Sequence, residues 1–175
     1  MPDEHARAFR LDRGLEQLRV TISLPSSRDV MAQVRTYLQN RNVNLKRKNN
    51  VLKILKEKKD QGIFQVSLGP SIDKGPEESH FHFESGSRLS FGISLRESEG
   101  RCALLAYRFQ VNFPATSPVP FLRFDLNPEA HPTPLFEPKC HYHPGSDEIR
   151  LPCPPLMPLE VLDRIFFVIE PQLNG

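Results

Sequence analysis

The stretch RLSFGISLRESEGRCALLAYRFQVNF, residues 88–113, decides the fold. Leu89, Phe91, Ile93 and Leu95 recur at every second position, the period of a strand with one buried face. ESEG at 97–100 reads as a turn, and RCALLAYRFQVNF at 101–113 as a long second strand. Two strands joined by so short a turn run antiparallel. The same period extends outward. GIFQVSL (62–68) puts Phe64, Val66 and Leu68 on one face, and HFHFE (80–84) alternates His80 and His82 with Phe81 and Phe83. LGPSIDKGPEES (68–79) is a polar loop between them, and Gly86-Ser87 suits a hairpin turn. Downstream, FLRFDLN (121–127) is a further strand. IRLPC (149–153) is a short edge strand, because its proline has no N–H for a central ladder.

Other periods flank this block. LRVTISL (18–24) alternates as a strand does. Ser26 and Asp29 then have the spacing of a capping box, and Val30, Met31, Val34, Tyr37 and Leu38 recur at helical period, so a helix is expected at 28–40. Val51, Leu52 and Leu55 form a narrow apolar stripe that suggests a second helix at 48–59, ended by Gly62. At the other end, Pro158 suits a first helical turn. Leu159, Leu162, Ile165, Phe166 and Ile169 share a face, and Pro171 stops the helix. The expected class is α+β. One domain covers 1–175, with a strand plus two helices at 1–61, an antiparallel meander sheet at 62–155 and a closing helix at 156–171 packed on it.

The composition, 38% hydrophobic and 25% charged over 175 residues, is that of a globular domain. No apolar run reaches the roughly eighteen residues that a membrane helix needs. The segment MPDEHARAFRLDRG is charged throughout and lacks the apolar stretch of a secretory signal. Three cysteines without regular spacing argue against a disulfide scaffold and point to the reducing cytoplasm.

Charge is distributed unevenly. Residues 41–59 hold Arg41, Lys46, Arg47, Lys48, Lys53, Lys56, Lys58 and Lys59 against Glu57 alone, in a chain whose net charge is only +2. A surface that tracks phosphates needs such polarity, because cations release the condensed counterions of nucleic acid. The bland reading is a solvated lysine-rich helix face. A third reading is docking on an acidic protein.

The chemistry-bearing residues are histidines and their polar neighbours. His80 and His82 are two apart, as are His141 and His143 in CHYH, so each pair projects from one face of an extended segment. Four imidazoles on neighbouring strands would hold zinc or another divalent transition metal. If they instead sit in separate hydrogen bonds on a polar sheet face, no cofactor is expected. A catalytic reading adds Arg123 and Asp125, which share a strand face, and Arg150, which follows the histidines. Histidine transfers protons near neutral pH, and arginine stabilises charge developing on a phosphodiester. Cys102 reads as a small core residue. Cys153, between prolines, reads as a structural thiol before the closing helix.

FLRFDLNPEAHP, HYH, IRLP and PLEVLDRI together resemble the small bacterial toxins of the TumE type over 121–169. That resemblance implies a prokaryotic toxin–antitoxin or antiviral defence protein acting on nucleic acid, RNA in particular. An antitoxin or a larger effector complex would be its protein partner. Arg123, Asp125, His141 and His143 occupy the matching positions. A second resemblance is to ubiquitin-conjugating enzymes, through YRFQVNFPATSPVPFLRFD and HPGSDEIRL. There Arg150 stands where that family has its cysteine, and Gly145 replaces its asparagine, so an inactive binding domain is implied unless Cys153 substitutes. Three functions follow from these readings: a nucleic-acid-binding protein with a His/Arg site, a non-catalytic interaction module, and a conjugating-enzyme-like domain.

Overall fold

In the computed structural model, residues 26–40, 52–58, 61–68, 81–127 and 139–169 are described, with backbone only for 52–58 and 68. They form an α+β fold. Helix α1 is Ser27–Asn40. Eight strands follow among the described residues: β1 Leu52–Lys58, β2 Ile63–Leu68, β3 Phe81–His82, β4 Arg88–Ser98, β5 Arg101–Asn112, β6 Phe121–Leu126, β7 Cys140–Pro144 and β8 Leu151–Pro152. Helix α2, Pro158–Arg164, continues into a π-helical turn, Ile165–Ile169. All pairings are antiparallel, in the order β1-β2-β4-β5-β6-β7-β8, with β3 paired to β4 beside this path. No helix among the described residues is long and apolar enough to cross a membrane.

The strand at 18–24 expected from the sequence lies outside the described residues. The second, basic helix at 48–59 is overturned, because Leu52–Lys58 is strand β1, first in the sheet order among the described residues. LKILKEK fits two periods over so short a run. Pairing decides it: Leu52 stands opposite Leu68, Ile54 opposite Val66 and Lys56 opposite Phe64. A non-local ladder of that kind overrides a local helical stripe.

The β4–β5 hairpin has the tightest closure. Ser98 pairs with Arg101, and both linking residues, Glu99 and Gly100, have positive φ (49° and 71°). That is the backbone of a two-residue turn whose twist matches the strands. Alternation then divides the sheet. Leu89, Phe91, Ile93 and Leu95 of β4, Tyr107, Phe109 and Val111 of β5, Phe124 of β6 and Cys140 of β7 are buried on one face. Val30, Val34 and Leu38 of α1 pack into the same core, as do Val161 and Leu162 of α2 and Ile165 beyond it.

Local signals set the helix positions. The Ser26 hydroxyl accepts the Asp29 N–H at 3.2 Å and donates to its carboxylate at 2.6 Å. The Ser27 N–H at the same helix start donates to the Glu97 carboxylate on β4. Pro158 opens α2, and the Glu160 carboxylate accepts the Met157 N–H at 2.6 Å. The Tyr37 hydroxyl reaches the Asp163 carboxylate at 2.5 Å and ties the two helices together.

Phe109, fully buried at 0% exposure, sits at the centre of this packing. Phe109→Ala is expected to cost about 3–5 kcal/mol, and Ser26→Ala about 1 kcal/mol. The denaturant midpoints of the two variants measure both, and the former must shift the further.

Candidate functional site

The opposite face of the sheet is polar, and its register assembles one group of side chains. Arg108 of β5 is opposite Asp125 of β6, which is opposite His141 of β7. One step along, Gln110 is opposite Arg123, which is opposite His143. Side chains directly opposite in an antiparallel pair are neighbours. The expected members Arg123, Asp125, His141 and His143 are therefore brought together here.

Asp125 is the hub. Arg123 Nε donates to its Oδ2 at 2.7 Å, and Arg108 Nε to its Oδ1 at 3.1 Å. His143 Nε2 lies 3.4 Å from Oδ2 and His141 Nε2 4.0 Å from the same oxygen. Asp125, His141 and His143 are 5%, 3% and 1% exposed. The two arginines differ in weight. Arg108 is 66% exposed on its side chain, so its ion pair is worth little, about 0–1 kcal/mol. Arg123 is 13% exposed, and its Nη1 also reaches Asp147 at 2.5 Å. A carboxylate this buried requires such compensation.

The turn after β7 orients His143. Gly145 has φ +81°, and a Cβ there would stand 2.9 Å from Val119 Cγ1 and 3.2 Å from Pro120 Cδ. Bending at this glycine brings the Ser146 carbonyl to 3.3 Å from His143 Nδ1. With Nδ1–H donating to that carbonyl, a neutral ring presents the lone pair of Nε2 towards Asp125. Burial, and then the Arg123 guanidinium, lower His143 below its ordinary value of 6.5, against the opposing pull of the Ser146 carbonyl and Asp125.

Asp125, His141 and His143 form a buried group able to hold a metal ion, with all three ligand atoms within 4.8 Å of one another. The expected four-histidine set is not assembled. His82 lies on β3, with β4, β5 and β6 between it and β7, or about 19 Å at ordinary strand spacing. His80 lies outside the described residues. Asp125 takes the place of the second histidine pair, and only cross-strand register reveals it as a ligand candidate. Arg150 is exposed in the segment leading into β8. Of the expected phosphate-binding residues, Arg41, Lys46, Arg47 and Lys48 lie outside the described residues, and Lys53 and Lys56 are on β1.

The other face of β7 carries a feature the sequence reading passed over. Cys140 and Cys153 bring their Sγ atoms to 3.0 Å, and the Tyr107 hydroxyl is 3.4 Å from Cys140 Sγ. The Cys153 thiol and that hydroxyl lower Cys140 to about 6 against burial, while Cys153 itself is raised by its hydrogen bond to Cys140 and by burial. The spacing C-x₁₂-C across a Pro-Gly turn was the available signal.

Two outcomes test this geometry. Gly145→Ala should destabilise the fold by at least the roughly 1–2 kcal/mol of left-handed backbone and shift the His143 ring resonances in NMR spectra. His143 has a depressed folded-state pKa, so its contribution is present above pH 6.5 and lost as pH falls through the lower folded value. The melting temperature should therefore fall on acidification below pH 6.5, and His143→Gln should flatten that part of the profile. Compared with known protein families, with characterised proteins and with solved structures, the chain matches none.

Proposed function

We propose that Asp125, His141 and His143 bind a divalent transition metal such as zinc, and that the protein acts on phosphodiesters of nucleic acid. The observation that carries this reading is the convergence of both Nε2 atoms on Asp125 Oδ2, at 3.4 and 4.0 Å. With its Nδ1–H turned to the Ser146 carbonyl, His143 aims the Nε2 lone pair at a carboxylate oxygen, a repulsion that a cation between them would relieve. The 3.4 Å separation is that of two tetrahedral ligands on an ion with bonds of about 2.0–2.2 Å, and His141 would close in from 4.0 Å on binding. The Ser146 carbonyl supports the same reading, since ligating histidines characteristically donate their other N–H to such an acceptor.

Three protein ligands leave a coordination position open, as catalytic sites do. A divalent ion there supplies Lewis-acid polarisation of a phosphoryl oxygen. Arg123 holds the carboxylate in place. Arg108, exposed at the rim, is available to a phosphate. The surplus of cations over 41–59 and the likeness of 121–169 to TumE-type toxins favour RNA as the substrate class and a protein partner such as an antitoxin. Burial of both histidines favours a second reading, in which the ion only staples β6 to β7 in a non-catalytic module.

Zinc or cobalt(II) titration of chelator-treated protein should show one equivalent bound, lost in Asp125→Ala and in the His141→Ala, His143→Ala double variant. RNA incubated with the loaded protein should be cleaved, and Arg108→Ala should weaken RNA binding with a shallower salt dependence. Absence of binding by folded protein overturns the reading. Binding that raises the melting temperature without any cleavage selects the stapling role instead.

A further inference from the structure

Cys140 ends one side of a small antiparallel ladder and Cys153 the other. His141 pairs with Pro152 and Tyr142 with Leu151, so Cys140 and Cys153 are the next opposed positions. The Cys153 N–H donates to the Cys140 carbonyl at 3.1 Å, which holds the two backbones in that register. Their thiols face each other at 3.0 Å and both are free. Directly opposed residues of such a pair have Cα atoms about 4.5–5.5 Å apart, inside the range of about 4.4–6.8 Å that a disulfide spans. The sulfurs need to approach by only about 1 Å to reach bonding distance. Cys140 is 5% exposed, and Cys153 is partly open to solvent.

We infer that Cys140 and Cys153 are a reversible disulfide site. The co-reactant is a small organic disulfide such as oxidised glutathione. The accessible Cys153 thiol passes its proton to the Cys140 thiolate 3.0 Å away and attacks one sulfur of that oxidant, the oxidant's S–S bond breaks, and one glutathione leaves as a thiolate that takes a proton from solvent. The Cys140 sulfur then attacks the Cys153 sulfur of the mixed disulfide. The second glutathione leaves as a thiol with the Cys140 proton, and the intrachain bond is formed. Two protein thiols are oxidised and one glutathione disulfide is reduced to two thiols, so atoms and electrons balance.

The consequence follows from what the bond encloses. The ring closed by Cys140 and Cys153 contains His141, His143, the Ser146 that orients His143, and the Asp147 that meets Arg123. Oxidation clasps the whole histidine hairpin from the core side of β7 without touching the polar face. The inference stands on the sulfur geometry alone and does not require a metal at Asp125.

The experiment uses the full chain, fully reduced and then exposed to oxidised glutathione under native conditions. Free thiols are blocked, and the protein is digested without reduction. The expected product is a peptide pair joined through Cys140 and Cys153, absent after dithiothreitol and absent in Cys153→Ser, with Cys102 alkylated throughout. Amide exchange over 141–152 should slow, and the melting temperature should rise by several degrees and return on reduction. Accumulation of a glutathione adduct on Cys153 with Cys140 still alkylatable would falsify the proposal. So would linkage that forms only in denaturant, with the native fold monitored by near-ultraviolet circular dichroism.

Discussion

The carboxylate of Asp125 is the constraint on which this molecule turns. It is buried, and a buried charge must find partners or lose its ionisation. Arg108 and Arg123 meet its two oxygens from two strands, and the imidazoles of His141 and His143 close over it from a third. This arrangement exists only if β5, β6 and β7 keep one register. A slip of one residue would turn Asp125 into the core and Phe124 out of it, because side chains alternate with a period of two. The apolar core and the polar group therefore enforce the same pairing from opposite faces of the sheet.

β7 shows how closely the two faces are joined. His141 and His143 serve the polar side, while Cys140 and Tyr142 pack with the core. A single strand of five residues thus places the imidazoles and the thiol pair back to back. The turn at Gly145 serves both faces: it presents the Ser146 carbonyl to His143 and returns the chain so that Cys153 comes opposite Cys140. Its backbone, in the left-handed region and pressed against Val119 and Pro120, has no room for a side chain.

Much of this was legible in the residues. The alternation in 88–97, the turn at 97–100 and the long partner strand define the central hairpin from sequence alone, because burying one face of a strand leaves a period of two. Ser26 before Asp29 marks the start of α1 for an equally local reason, the unpaired N–H groups of a helix end. LKILKEK misled, since seven residues with three apolar positions satisfy either period and only the ladder to β2 selects between them. The pairing of histidines with histidines misled for a related reason. Spacing tells which residues share a face of one strand, and is silent on which strands lie side by side.

Sequence by itself determined the α+β class, the faces of most strands, and the shared faces of His141 with His143 and of Arg123 with Asp125, because each depends on periodicity within a single segment. Tertiary structure alone decided that Leu52–Lys58 is a strand paired with β2, that β6 lies against β7 while β3 lies far from it, and that Cys153 comes back to Cys140. Those outcomes depend on partners distant in the chain, whose cost in loop closure is met only when the whole sheet buries its apolar face at once.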